Sequence, residues 1–284
     1  MLAMIIGGAV GLLSVVAEDR ALSIVVLAGA CMVGVVGLVE DARGVSVPTR
    51  AGVQVAVGTA CAAAVTSIVG ASWWWLPLVA LAFAGYVNFV NFMDGINGIS
   101  SLYGCVVGVS FVGLGVFTNT SWLIMVGGLL AAAFASFLPW NLIPPRVFLG
   151  DTGSYLLGGV IAAAAITAIY DGLPLVAVVA PLSIYLVDAG TTLARRAMKR
   201  ETLLAPHRQH TYQRLVDGGL PHVGVSLLVA CFTVISSTIG LASVAGLLKT
   251  SWLVWLLVAT LCAVYIGLPG LFTSSNRKLR ECES

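Results

Sequence analysis

The sequence predicts an all-α polytopic integral membrane protein of about ten transmembrane helices, with both termini cytoplasmic. Three observations carry that expectation. Of 284 residues, 59% are hydrophobic and only 9% charged, and the mean hydropathy is +1.03, more apolar surface than one soluble core can bury. The apolar residues form long runs, near the roughly 20 that cross the hydrocarbon as a helix, without the alternation of a membrane barrel. The basic residues then collect on one side of the predicted spans.

The first run, Leu2 to Ala17, has neither the basic leader nor the small-residue cleavage site of a signal peptide, so it reads as a helix. Glu18-Asp19-Arg20 leads to the second, Ala21 to Val39, which stops at Glu40-Asp41. The third, Ala51 to Gly70, precedes the Trp73-Trp74-Trp75 turn. The fourth, Leu76 to Val90, runs into an amide-rich island, Asn88 to Gly98, and the fifth, Ser100 to Phe117, leaves it. Thr118 to Ser121 separates the sixth, Trp122 to Leu138, after which Pro139, Pro144 and Pro145 stiffen the chain. The seventh, Tyr155 to Ile169, follows a second island, Phe148 to Ser154. Asp171 to Pro174 leads to the eighth, Leu175 to Leu193, with Asp188 near its end. The longest polar stretch, Arg195 to His222, holds a third island, His207-Arg208-Gln209-His210. The ninth run, Val223 to Leu247, and the tenth, Trp252 to Phe272, are joined by Lys249 to Ser251. Abundant glycine and alanine let such helices approach closely, as the Gly7-xxx-Gly11 and Gly104-xxx-Gly108 spacings illustrate.

With ten spans and a cytoplasmic N-terminus, twelve of the fourteen Lys and Arg residues fall on the cytoplasmic side, leaving only Arg20 and Lys249 outside. Trp73 to Trp75, Trp122 and Trp252 fall at the outer interface, where indole rings prefer to sit. Every polar island therefore faces the cytoplasm, on loops 40–50, 91–100, 139–154 and 195–222 of one domain covering residues 1–284. Five cysteines lie inside spans and Cys282 in the tail, with no metal-binding spacing, so they read as packing residues.

Carboxylates, amides and imidazoles are costly at membrane depth, which makes the islands functional candidates. Asn88, Asn91, Asp94 and Asn97 recur every three residues and form a slowly drifting stripe wherever the fourth span stays helical. That stripe can hold a polar ligand or a divalent cation, or it is a solvated helix end. Asp151, in a glycine-flanked turn before the seventh span, can hold Mg²⁺ while backbone N–H groups meet phosphate. Asp151 and Ser154 can equally be helix caps. Asn141, upstream in the same loop, is alone only a turn residue. His207, Arg208 and His210 suit recognition of phosphate and a nucleotide better than anchoring, whereas Arg195 to Arg200 read as ordinary basic anchoring. Glu40 and Asp41 are adjacent like charges, an arrangement that can raise one pKa and create a base, or a solvated loop start.

Taken together, Glu40-Asp41, Asn88 to Gly98, Asn141, Phe148 to Ser154 and His207 to His210 resemble, in order, the polyprenyl-phosphate N-acetylhexosamine-1-phosphate transferase family (glycosyltransferase family 4). The N-F-M-D-G-I stretch and the H-R-x-H element are most similar to its O-antigen-initiating branch. The resemblance covers nearly the whole chain.

It implies transfer of a sugar-1-phosphate from a UDP-N-acetylhexosamine to undecaprenyl phosphate, with release of UMP. The reaction would start a cell-envelope polysaccharide such as the O-antigen of lipopolysaccharide, at the cytoplasmic face of a bacterial inner membrane. The resemblance implies Mg²⁺ as cofactor, with Mn²⁺ as the alternative, and no nucleic-acid partner. A homodimer is one assembly it allows. It implies that Glu40, Asp41 and Asp94 are catalytic, and that Asp151 and Asp94 hold the metal. Asn88, Asn91, Asn97, Asn141, His207, Arg208 and His210 would contact substrate. Glu40 stands where the family's pair usually begins with aspartate, and Asn97 where many members carry a second aspartate. Members usually carry a further N-terminal span, so the resemblance also implies a shortened member or a start upstream. Two other readings remain: an ion- or proton-coupled transporter, whose charges belong near the midplane, and a non-catalytic relative of the same fold.

Overall fold

The computed structural model describes residues 2–12, 17–144, 146–202 and 208–282, the side chains of 2, 3, 5, 17, 18 and 272–282 excepted. Among the described residues the chain is helical with no strand. The helices are α1 (Leu2–Gly11), α2 (Ala17–Arg43), α3 (Val47–Val69), α4 (Leu76–Met93), α5 (Ile99–Thr118), α6 (Ser121–Leu142), α7 (Gly150–Tyr170), α8 (Leu175–Val179), α9 (Ser183–Met198), α10 (Thr211–Asp217), α11 (His222–Val244) and α12 (Ser251–Cys282). Among the described residues, nine helices are long and apolar enough to cross a membrane, with α8, a 3₁₀ turn at Ala180–Leu182 and α9 counted as one broken span, Leu175–Met198. Of the remaining predicted run, Leu2 to Ala17, Leu2–Gly11 forms α1, and residues 13–16 lie outside the described residues.

The helices satisfy their backbone groups internally, as lipid demands, and the outward side chains are apolar, among them Leu78, Leu81, Val109, Leu256 and Val264. α7 is the most buried of the nine spans and α12 the least. The small residues of α7 explain its place. A Cβ on Gly158 would come within 2.8 Å of the Val87 backbone in α4, and one on Gly159 would strike Val33 of α2, so two neighbouring glycines admit helices on opposite sides. One turn before Asp41 in α2, Gly37 lies so close to the Asp151 carbonyl that a Cβ would collide with it. Both small-residue spacings also face α6: Gly7 and Gly11 meet Leu129 and Met125, and Gly104 and Gly108 meet Phe134 and Ala131.

The predicted boundaries of the second to ninth runs hold to within five residues, α12 continues past Phe272 to Cys282, and two further features are informative. α6 continues one turn past Pro139 to Leu142, because the Ile143 and Val147 N–H groups close that turn on the Pro139 and Trp140 carbonyls. Trp122 is buried at the outer end of α6, and its indole N–H donates to Asp171 at 2.9 Å, while Trp73 to Trp75 and Trp252 are exposed. The C-terminal ends of α2, α4, α6 and α9 and the N-terminal ends of α3, α5, α7 and α11 share one end of the bundle, as the alternation of successive spans requires. All described parts of the polar islands are there.

Candidate active site

Asp41 extends from the last turn of α2 onto the first turn of α7. Its Oδ1 accepts the Asp151 N–H at 3.0 Å, and its Oδ2 accepts the Thr152 N–H at 2.9 Å and the Thr152 hydroxyl at 2.7 Å. Those N–H groups have no partner within α7, so Asp41 caps a helix from 110 residues away. The close crossing at Gly37 makes this reach possible. Gly150 completes it: its φ of +67° is a left-handed conformation, and a Cβ there would lie 2.9 Å from the Asp41 carboxylate.

Glu40 turns the other way. It is ion-paired with Arg50 of α3 and accepts the Tyr155 hydroxyl at 2.9 Å, and Arg50 also donates to that hydroxyl at 3.3 Å. The expected like-charge pair therefore does not form. The two carboxylates diverge, and each is compensated by its own donors.

Asp151 lies beside Asp41's grip. Its Oδ1 accepts the Asn91 amide at 2.6 Å, and the same amide donates to Ser154 at 3.0 Å. Asn91 thus ties α4 to α7 and orients the Asp151 carboxylate. Asp94 follows where α4 ends, with φ −84° and ψ 56°. Burial pushes its carboxyl up to about 6, with the Asp151 charge adding to the rise and Ser100 opposing it. Desolvation is the main cause, and the neighbouring carboxylate adds to it.

The four-residue stripe is broken by this turn. Asn88 points into the bundle, donating to buried Gln54 of α3 and to the Ala84 carbonyl at 2.8 Å. Asn97 lies past the helix, where its carbonyl accepts the Ser226 hydroxyl of α11 at 2.8 Å. Asn141 is 7% exposed and spends both ends of its amide on the protein. Its oxygen accepts the Gly98 N–H, at 2.5 Å, and the Ser101 hydroxyl, and its nitrogen donates to the Val147 carbonyl at 2.9 Å. It braces two loops of the site.

Of the third island, His207 lies outside the described residues. Arg208 is exposed and faces Asp217 at 3.3 Å. His210 departs from the expectation of a substrate contact: its ring is turned inward, 3.3 Å from Asp188, with a side chain only 2% exposed. Among the basic residues read as anchors, Arg196 is 3% exposed and pairs with Glu201 at 3.3 Å, and Glu201 also accepts from Gln209 at 3.0 Å. That chain of contacts joins residues on both sides of 203–207.

Sequence reasoning assigned no site role to Arg50, Thr152, Tyr155, Gln54 or Tyr212. Tyr155 had a readable signal, since it adjoins a polar island, whereas Arg50 had none, because Arg43 lies nearer to Glu40 and Asp41 in the chain. Gln54 had one too, as an amide inside an apolar run.

Residues 23–169 match the family described as Glycosyl transferase family 4, a run that contains the Asp41 grip and the Asn91–Asp151 pair. The chain belongs to that family. Among glycosyl transferase family 4 relatives, a probable undecaprenyl-phosphate N-acetylglucosaminyl 1-phosphate transferase from Bacillus subtilis is 26% identical over 243 residues, covering 78% of this chain and 66% of that protein. A decaprenyl-phosphate N-acetylglucosaminephosphotransferase from Mycobacterium leprae is 27% identical over 246 residues, covering 72% and 60%. A phospho-N-acetylmuramoyl-pentapeptide-transferase from Halalkalibacterium halodurans is 34% identical over 102 residues, covering 34% and 30%. The chain spans less than two thirds of the length of these relatives.

Proposed function

We propose that the protein transfers a sugar-1-phosphate from a UDP-N-acetylhexosamine to undecaprenyl phosphate, or another polyprenyl phosphate, at the cytoplasmic face of a bacterial inner membrane. A lipid phosphate oxygen attacks the sugar-bearing phosphorus, the bond to the UMP oxygen breaks, and UMP leaves. The product is the lipid-diphospho-sugar on which a cell-envelope polysaccharide, O-antigen in the branch the motifs resemble, is assembled. One observation carries the reading: Asp41, Asn91, Asp94 and Asp151, from the ends of α2, α4 and α7, meet at one end of the bundle. A transporter's coupling charges belong near the midplane instead.

The site's chemistry suits two anionic substrates. Among the described residues no group of three or more His, Cys, Asp or Glu could hold a metal by itself. Mg²⁺ does not need one, because it binds through one or two carboxylates and completes its shell with water and substrate phosphate. Asp151 and Asp94 fit that demand, since the Asp151 charge is near enough to disfavour ionisation of Asp94; Mn²⁺ would accept the same donors. When bound, such an ion offsets the charge of the diphosphate. Asn91 orients Asp151, and Asp41 holds the α7 turn from which Asp151 projects, which makes it a positioning residue in this arrangement. Arg50 keeps Glu40 compensated, and exposed Arg208 is available to a nucleotide phosphate.

The test is UMP release by protein purified in detergent, supplied with undecaprenyl phosphate and a panel of UDP-N-acetylhexosamines, with Mg²⁺ or with EDTA. Metal-dependent UMP from one sugar supports the reading and names the substrate. No UMP from any sugar, with the protein folded, overturns it.

A further inference from the structure

Beyond residues 23–169, one buried cluster plays no part in the chemistry described so far. Its centre is Asp188, fully buried within the Leu175–Met198 span, where a carboxylate persists only with partners. Oδ1 accepts the Thr211 N–H at 2.8 Å and faces His210 Nδ1 at 3.3 Å. Oδ2 accepts the Tyr212 N–H at 3.2 Å and the Tyr265 hydroxyl at 2.7 Å. The two N–H groups belong to the first turn of α10 and have no partner within it. One side chain of α9 therefore caps α10, and a tyrosine of α12 closes the cap.

α10 in turn holds the turn that carries Asp94. The Tyr212 hydroxyl donates to the Phe92 carbonyl at 3.1 Å, and a Cβ on Gly95 would collide with that hydroxyl. Phe92 and Gly95 flank Asp94 in the chain. The His210 ring stacks on Tyr212, with centroids 5.7 Å apart and planes 20° apart, and leans on Phe92 at 6.5 Å.

We propose that Asp188 is a positioning residue for the transfer reaction: by capping α10 it seats Tyr212 against the Phe92–Gly95 turn and fixes Arg208 relative to Asp94. This rests on the transferase reading above. A carboxylate that only stabilised the fold would, when altered, lower the folded fraction without changing substrate preference in what remained.

The experiment pairs kinetics, using UDP-N-acetylglucosamine and undecaprenyl phosphate, with amide hydrogen exchange of the detergent-purified protein. In Asp188→Asn the Thr211 and Tyr212 amides should exchange faster, and the KM for the UDP-sugar should rise roughly three- to tenfold, the scale of one net hydrogen bond, with the lipid KM unchanged. Tyr212→Phe removes one hydroxyl and leaves the cap, so it should raise the same KM while both amides stay protected. Equal changes in both KM values, or unchanged exchange in Asp188→Asn, overturn the proposal. Should Asp188→Asn not fold, Tyr265→Phe withdraws one donor from the same carboxylate and replaces it, with the same two outcomes. Should the wild-type protein release no UMP from any sugar, the transferase reading fails, and exchange alone decides: faster amides keep Asp188 as the anchor of α10, and unchanged amides remove it.

Discussion

Asp41 grips the first turn of α7 from the end of α2, at the exposed rim of the bundle, whereas Asp188 grips the first turn of α10 from within α9, where no solvent reaches. Each accepts two backbone N–H groups of a helix that is not its own, and each has hydroxyl help, from Thr152 in one case and Tyr265 in the other. Their surroundings differ. Water can replace the donors lost from an exposed cap, while a buried carboxylate or its orphaned donors must bear the full desolvation cost. The exposed grip leaves an edge of the carboxylate open beside Asp151. The buried grip trades that access for rigidity, and its influence reaches the site only through Tyr212.

The comparison can be broken in several ways. The largest effect is expected at the carboxylate the exposed grip presents: Asp151→Asn should lower UMP release by roughly a thousandfold or more, the scale of losing a charge-stabilising group, with the protein still inserted and monodisperse. Retained turnover would remove Asp151 from the metal-holding role.

Stability should separate the two grips next. Asp188→Ala should cost about 3–5 kcal/mol, as removal of one partner from a buried charged network does, while Asp41→Ala should cost about 1 kcal/mol, an ordinary N-cap loss. Thermal unfolding of both variants in one detergent checks this, and equal losses would mean that exposure does not distinguish them.

Gly37→Ala probes the close approach that lets Asp41 reach α7. A Cβ there meets the Asp151 carbonyl, whereas one on Gly52 meets nothing within 4 Å. Activity should drop about tenfold in the first variant, as a misplaced site does on a modest scale, and stay unchanged in Gly52→Ala.

The smallest effect concerns Asp94, which titrates near 6 because burial and the Asp151 charge disfavour its ionised form. In the proposed site protons and Mg²⁺ would compete for that carboxylate, so below about pH 6 the Mg²⁺ concentration giving half-maximal rate should rise up to about tenfold per pH unit, and level off above it. The same logic predicts that Asp94→Asn flattens this pH dependence. A Mg²⁺ requirement independent of pH between 5 and 7 would leave Asp94 outside the metal's reach.

Much of this molecule was legible along the chain. The apolar runs and the islands between them follow from hydropathy, which is summed locally. Asp151 and Asp94 could be picked out because a carboxylate beside glycines at a span's end has few bland explanations. What resisted reading was direction. Adjacent Glu40 and Asp41 look equivalent in sequence, yet one meets Arg50 and the other caps α7. Asn88 and Asn91 share a spacing, yet only Asn91 meets Asp151. Asn141 and His210 carry chemistry suited to a ligand and spend it inside the protein. Asp188 looked like a polar residue near a span's end, with nothing local to disclose four partners from α10, α12 and the residue before α10.

The sequence by itself determined that the chain is a helical membrane bundle with its polar groups at one end, because composition and hydrophobic run length act residue by residue. The tertiary structure alone decided which of those groups meet. That depended on the crossing of α2 over α7 at Gly37, on the turn that ends α4 at Asp94 and on the docking of α10 beneath Asp188. In each case the partners lie far apart in the chain, and hydrogen-bond geometry exists only once the helices have packed.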